Sequence, residues 1–205
     1  MKRYFITGTG TGIGKSHFSA LFARRLKEEG LSVRYIKPVA TGYPEDDDAA
    51  FVAREAGLAP EDAVTLYTAS EPASPCFVFD PFPFEECVVR MEALCADRDA
   101  VLIESAGGLA VPLGVRRYNY HFALALGCDV ILVVPNRLGC LSDAVVYGHF
   151  AQRHRMVLDA IALNDFFAES PRHAERNAAE LERQFPGKVG YRYAAVLDIL
   201  PGQDA

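Results

Sequence analysis

A parallel β-sheet covered by helices on both faces is the architecture predicted for this chain of 205 residues. Three observations carry that expectation. Short, nearly uninterrupted apolar runs, such as residues 100–103 and 130–134, read as strands buried on both sides. Segments with apolar residues at helical spacing alternate with them. Glycine-bearing polar stretches follow the runs, where a parallel sheet collects its ligand-facing loops. The expected product is a three-layer α/β/α domain over residues 1–205.

Each element has a local reason. Residues 3–7 form the first strand. The helix over 15–29 sets Phe18, Leu21, Phe22 and Leu26 on one face, opposite Arg24, Lys27 and Glu28, and Gly30 ends it. A strand at 31–37 leads into a Pro/Gly loop through Pro44. The helix over 46–56 begins with acids, which a helix N-terminus favours. Residues 60–83 hold five prolines and read as irregular connection. Next come a helix at 84–96, a strand at 100–103, a loop at 107–117 and a short helix at 118–126. A strand at 130–134, a loop at 135–139, a helix at 140–153, a strand at 158–163 and a helix at 171–184 complete the pattern.

Composition narrows the function. A net charge of −6 and no Lys/Arg block argue against nucleic acid or an anionic membrane surface as partner. The longest apolar stretch, 122–134, contains Asp129 and is too short to span a bilayer. Met-Lys-Arg runs straight into the first strand, leaving no room for a signal peptide. Cys76, Cys87, Cys95, Cys128 and Cys140 are odd in number and form no Cys-x-x-Cys pair. Free thiols in a reducing cytoplasm are expected.

The stretch Ile6-Thr7-Gly8-Thr9-Gly10-Thr11-Gly12-Ile13-Gly14-Lys15-Ser16 lies between the first strand and the first helix. It reads as a phosphate-binding loop. Backbone N–H groups wrap phosphates, Lys15 reaches the β/γ-phosphates, and the Ser16 hydroxyl suits magnesium. Gly8 stands six residues before Gly14, so the loop is one residue longer than the common spacing.

Other strand ends add chemistry. Lys37, in Lys-Pro-Val-Ala-Thr-Gly, would share a cleft with Lys15, a costly repulsion unless an anion lies between them. One of Asp46, Asp47 and Asp48 is a candidate metal ligand, since hard cations take carboxylate oxygens. Glu104, ending a buried strand, is the expected second metal-side acid, and Gly107-Gly108 lets the backbone approach a ligand. The helix start at Gly139-Cys140-Leu141-Ser142 offers free N–H groups to a carboxylate. Asn164 could read a nucleobase edge through its amide.

Together these residues resemble the dethiobiotin synthetase family, whose members have a P-loop NTPase-like fold. The resemblance covers residues 4 to 175. It rests on Thr-Gly-Thr-x-Thr-x-x-Gly-Lys at 7–15, Lys-Pro-Val-Ala-x-Gly at 37–42, Asp48-Ala49 and Glu71-Pro72-x-Ser74-Pro75. Further matches are Glu-x-Ala-Gly-Gly at 104–108, Pro112-Leu113, Leu138-Gly139-Cys140, Asn164-Asp165 and Arg172-His173-Ala174-Glu175. It implies ATP- and Mg2+-dependent carboxylation and ureido ring closure of 7,8-diaminopelargonate, using CO2 or bicarbonate.

The resemblance also implies roles. Lys15, Lys37 and Thr11 would be catalytic. Gly8, Gly10, Gly12, Ile13, Gly14, Lys15, Ser16, Glu104, Gly107, Gly108 and Asn164 would hold ATP, with Ser16, Asp48 and Glu104 at the metal. Lys37, Thr41, Gly139, Cys140, Leu141 and Ser142 would bind substrate across a homodimer interface, with Arg176 as an added carboxylate ligand. Family members usually carry an acid at Gly12, a small residue such as Gly at Ser105, Asn at Ser142 and often Tyr at Arg176. The alternatives are a divergent paralogue acting on another substrate and a nucleotide switch of the ParA/MinD kind, but the switch usually carries a second lysine early in the loop, where this chain has Thr9, Gly10 and Thr11.

Overall fold

The computed structural model describes residues 1–193 and 200–201. Its strands are β1 (Lys2–Gly8), β2 (Val33–Thr41), β3 (Ala63–Ala69), β4 (Ala100–Glu104), β5 (Pro112–Gly114), β6 (Arg117–Tyr118), β7 (Asp129–Pro135), β8 (Val157–Asn164), β9 (Tyr191–Tyr193) and β10 (Leu200–Pro201). Its helices are α1 (Lys15–Glu28), α2 (Asp48–Ala56), α3 (Pro75–Val78), α4 (Phe84–Cys95), α5 (Tyr120–Leu126), α6 (Cys140–Arg153) and α7 (Pro171–Gln184). The main sheet runs β3-β2-β4-β1-β7-β8-β9-β10. Every pairing in it is parallel except β9 with β10.

Strand alternation divides the core in two. Phe5, Ile36, Val101, Ile103, Leu132 and Val134 pack toward α4, α5, α6 and α7. Their neighbours Tyr4, Ile6, Tyr35, Leu102, Ile131 and Val133 pack toward α1 and α2. The predicted three-layer fold is therefore present, with apolar runs buried on both faces. All five cysteines are unbonded. Among the described residues no helix is long and apolar enough to cross a membrane.

Three stretches differ from the sequence expectation. The span 60–83, read as irregular, contains edge strand β3, a 3-10 turn (Pro60–Asp62) and short helix α3. Its prolines flank β3 without entering it, and Val64, Thr65, Tyr67 and Thr68 suit a strand whose side chains are mostly half-buried. The loop 107–117 carries part of a two-stranded hairpin, β5 with β6, so α5 starts at Tyr120 and not at Tyr118. Strand β2 continues past Lys37 to Thr41. Its register passes from Lys37 beside Thr65 to Val39 beside Tyr67, leaving Pro38, which has no N–H, out of the ladder.

Candidate active site

The first wall of the site is the loop between β1 and α1. Gly14 caps α1 with a left-handed φ of 93°, and no side chain caps the helix. The first N–H groups of α1 are thus left for an anion. Lys15 is buried, and its Nζ donates to the Gly10 carbonyl at 3.0 Å. Burial pulls the Lys15 pKa down, nearby Glu104 pulls it up and Lys37 pushes it down again, for a net decrease. A buried lysine so placed gains from an arriving polyanion.

The floor comes from three strand ends. The register sets Ile6 of β1 beside Glu104 of β4, which brings that carboxylate under the phosphate loop. Glu104 is fully buried and accepts from Ser16 Oγ at 2.9 Å and Ser19 Oγ at 2.7 Å. Asp48, at the start of α2, lies 2.6 Å from Ser16 Oγ. Lys37 Nζ sits 2.6 Å from Asp48 and 2.8 Å from Glu104. Burial would depress Lys37, but the two carboxylates outweigh it and raise its pKa. For Asp48, burial favours the neutral acid, yet Lys37 and Ser16 hold its pKa below the ordinary value.

These groups fit a divalent ion. One serine hydroxyl and two carboxylates converge with hard oxygen donors, and Ser16's single proton serves only one carboxylate at a time. Among the described residues no group of three or more His, Cys, Asp or Glu is placed to hold a metal ion. Magnesium needs none, because it is commonly held by one or two carboxylates with phosphate oxygens and waters.

The opposite wall is the loop after β4. Ser105 Oγ donates to the Gly107 carbonyl at 2.6 Å, and Asn119 Nδ2 donates to Ala106 and Gly108 at 2.7 and 2.9 Å. A Cβ at Gly108 would fall 2.8 Å from the Gly8 carbonyl oxygen, so glycine is required where the two loops meet. At Gly12 the added atom would meet nothing within 4 Å. The position where the resemblance leads one to expect an acid is therefore spacious, but its φ of 68° disfavours any side chain.

The resulting cleft holds about 1280 Å³, ample for a nucleotide and a second small molecule. Thr11, Gly12, Gly14, Lys15, Ser16, Lys37, Thr41, Asp48, Glu104, Gly107 and Asn164 line it. Of the three aspartates, Asp48 meets Ser16 and Lys37, while Asp47 caps α2 by accepting from the Ala50 N–H at 3.0 Å. Gly139, Cys140, Leu141, Ser142 and Arg176 are not part of this lining. Cys140 is buried, Leu141 half-buried, and Gly139, Ser142 and Arg176 are exposed.

Several lining residues carried no clear sequence signal. Tyr193, Phe166 and Phe167 come from the far side of the sheet, and His17 packs on Phe51 with ring centroids 4.7 Å apart. Asn119 works from outside the cleft through backbone bonds alone. The aromatic alternation at 191–193 is a weak trace of β9.

A glycine-rich loop between a central strand and its helix, with Lys15, Ser16 and a strand-end acid, defines a P-loop nucleotide-binding protein. Solved structures agree at the level of fold. Chloroplast FtsY from Physcomitrella patens has a TM-score of 0.60 at 19% identity, covering 98% of this chain and 62% of that one. A ParA family ATPase from Chlorobium tepidum TLS has a TM-score of 0.60 at 14% identity, covering 95% and 85%. A family model described as an AAA domain matches residues 2–201. The ATP-dependent dethiobiotin synthetase BioD of Anaeromyxobacter dehalogenans (strain 2CP-C) is 32% identical over 191 residues, covering 89% of this chain and 85% of the relative. BioD 1 of Escherichia coli (strain K12) is 34% identical, covering 85% and 82%. This chain belongs to the ATP-dependent dethiobiotin synthetase family, a family of ligases.

Proposed function

We propose that this protein makes dethiobiotin from 7,8-diaminopelargonate, carbon dioxide and ATP. The observation that carries the reading is the pairing of Lys15 with Lys37 in one cleft, both buried and both near Glu104. A nucleotide switch of the ParA/MinD kind has no need of Lys37. Transfer of a phosphoryl group onto a second anion does.

The proposed reaction has three steps. An uncharged substrate amine attacks carbon dioxide, forms a C–N bond and loses a proton to become a carbamate. A carbamate oxygen then attacks the γ-phosphorus and ADP leaves. The second amine attacks the carbamoyl carbon, closes the ring and expels phosphate. Lys15 and Lys37 stabilise the anionic oxygens throughout, with Thr11 beside them. Ser16, Asp48 and Glu104 would hold magnesium, which would neutralise phosphate charge.

The substrate carboxylate goes to Gly139–Ser142 at the start of α6, presented by a second subunit of a homodimer, with Thr41 on the near side. Their position outside the cleft lining of a single chain supports that arrangement. Exposed Arg176 supplies the added guanidinium. The five unbonded cysteines fit a reducing compartment such as the cytoplasm.

The test is to supply purified protein with ATP, magnesium and bicarbonate, with and without the diamine, and to measure phosphate and ring-closed product. Phosphate release and product that both require the diamine are expected. Equal phosphate release without it would sink the synthetase reading and favour a switch.

A further inference from the structure

We infer that Asn164 and Tyr193 are positioning residues of the nucleotide site, clamping the end of the phosphate loop by its carbonyl oxygens. The inference rests on the reading of that loop as the ATP site. Asn164 Nδ2 donates to the Ile13 carbonyl at 3.0 Å, and the Tyr193 hydroxyl donates to the Gly14 carbonyl at 3.0 Å. The two residues are register partners at the ends of β8 and β9, so they reach the loop side by side. Asn164 is 5% exposed and Tyr193 3%.

The planarity of the peptide unit gives these bonds their consequence. In a trans peptide the carbonyl of one residue points opposite to the N–H of the next. Holding the Ile13 carbonyl against Asn164 therefore turns the Gly14 N–H the other way. The Gly14 carbonyl, which also accepts the first α1 bond from the Phe18 N–H at 2.9 Å, is held by Tyr193 as a second donor, and this does the same for the Lys15 N–H. These are the N–H groups that a phosphate meets at the head of α1.

The carboxamide of Asn164 is itself fixed, because its Oδ1 accepts from the Phe166 N–H at 3.1 Å. Each half of the amide thus makes one bond within the protein and retains one further N–H and one further lone pair. The contact is also close: a Cβ at Gly14 would lie 2.5 Å from Asn164 Nδ2 and 3.1 Å from the Tyr193 hydroxyl. A residue that reads the base and one that shapes the loop differ in what their loss does. The first loss is felt only by ligands with a base, the second by any polyphosphate.

The experiment is calorimetric binding of ATP, GTP and inorganic tripolyphosphate, each with magnesium, to the wild-type chain, Asn164→Ala and Tyr193→Phe. Each variant is expected to lose about 2- to 12-fold in affinity for all three ligands, the weight of one such hydrogen bond, with the ATP-to-GTP ratio unchanged in Tyr193→Phe. In turnover, KM for ATP should rise by a similar factor while KM for the diamine stays fixed. Wild-type affinity for tripolyphosphate in both variants, or a loss confined to ATP, would overturn the clamp. Should Asn164→Ala fail to fold, Tyr193→Phe, which removes a single oxygen, decides alone. A wild-type chain that binds no ATP would instead reject the nucleotide reading beneath it.

Discussion

Lys37 serves two partners in turn. Without ligand its Nζ neutralises Asp48 and Glu104, and in the proposed reaction phosphate and carbamate would take it over. Replacing it with alanine leaves two carboxylates facing each other around Ser16. Lys37→Ala should lower stability in denaturant by about 3–5 kcal/mol, since breaking a buried pair strands a charge. Magnesium should then raise the melting temperature of that variant more than that of the wild type. Equal shifts would remove Asp48 and Glu104 as metal ligands. The pH dependence has a definite sign. Asp48 titrates below its ordinary value of 3.8 in the folded chain, so its contribution is present above that value and lost as pH falls through the lower one. Asp48→Asn should flatten this acid limb, and an unchanged limb would contradict the pairing. Lys15→Ala should cost ~10²–10³ in kcat, the size of one lost charge-stabilising contact. Lys15, Lys37 and Glu104 were legible because each lies at an apolar run or glycine-rich loop, whereas Asp48 is one of three adjacent aspartates. Tyr193 and Asn119 were not, because their partners are backbone atoms distant in sequence.

At the scale of elements, the acidic run 46–48 divides its labour. Asp47 starts α2 by capping it, and that start delivers Asp48 to the cleft. Asp47→Ala should destabilise the fold by about 1 kcal/mol, as the loss of a helix cap does. Activity should fall further than that figure implies, because α2 would no longer hold Asp48 in place. A variant with normal kcat and lowered stability would mean that the cap acts on the fold alone. Two of the elements missed from sequence, β3 and the β5–β6 hairpin, share a cause. Both are mostly half-buried and near prolines, and β5 and β6 are short besides, so neither shows the continuous apolar run of a central strand. Their pairing comes from the neighbouring sheet edge and the returning loop, which no local window contains.

For the whole molecule, sheet order decides where chemistry gathers. With β1 between β4 and β7, the ends of β1, β2 and β4 meet on one side of the nucleotide loop and those of β8 and β9 on the other. The proposed substrate arm, Gly139–Ser142, lies outside the cleft lining of one chain, which leads to a test by mixing. Lys15→Ala spoils the loop, and Ser142→Glu sets a negative charge against the substrate carboxylate. Each variant alone should be inactive. Mixed equally and allowed to exchange, they should recover about a quarter of wild-type activity, because half the symmetric dimers would hold one intact site of two. No recovery despite proven exchange would place the whole site within one chain.

The sequence by itself determined the alternation of strands and helices, the phosphate loop and the lysine and acids at strand ends. Those features are written in local patterns: apolar runs, helical spacing, and glycines where the backbone must turn. Only the tertiary structure decided which aspartate reaches Ser16, that Lys37 rests on two carboxylates, and that Asn164 and Tyr193 hold the loop by its carbonyls. Those facts depend on register between strands far apart in the chain, and register follows from the packing of both sheet faces at once.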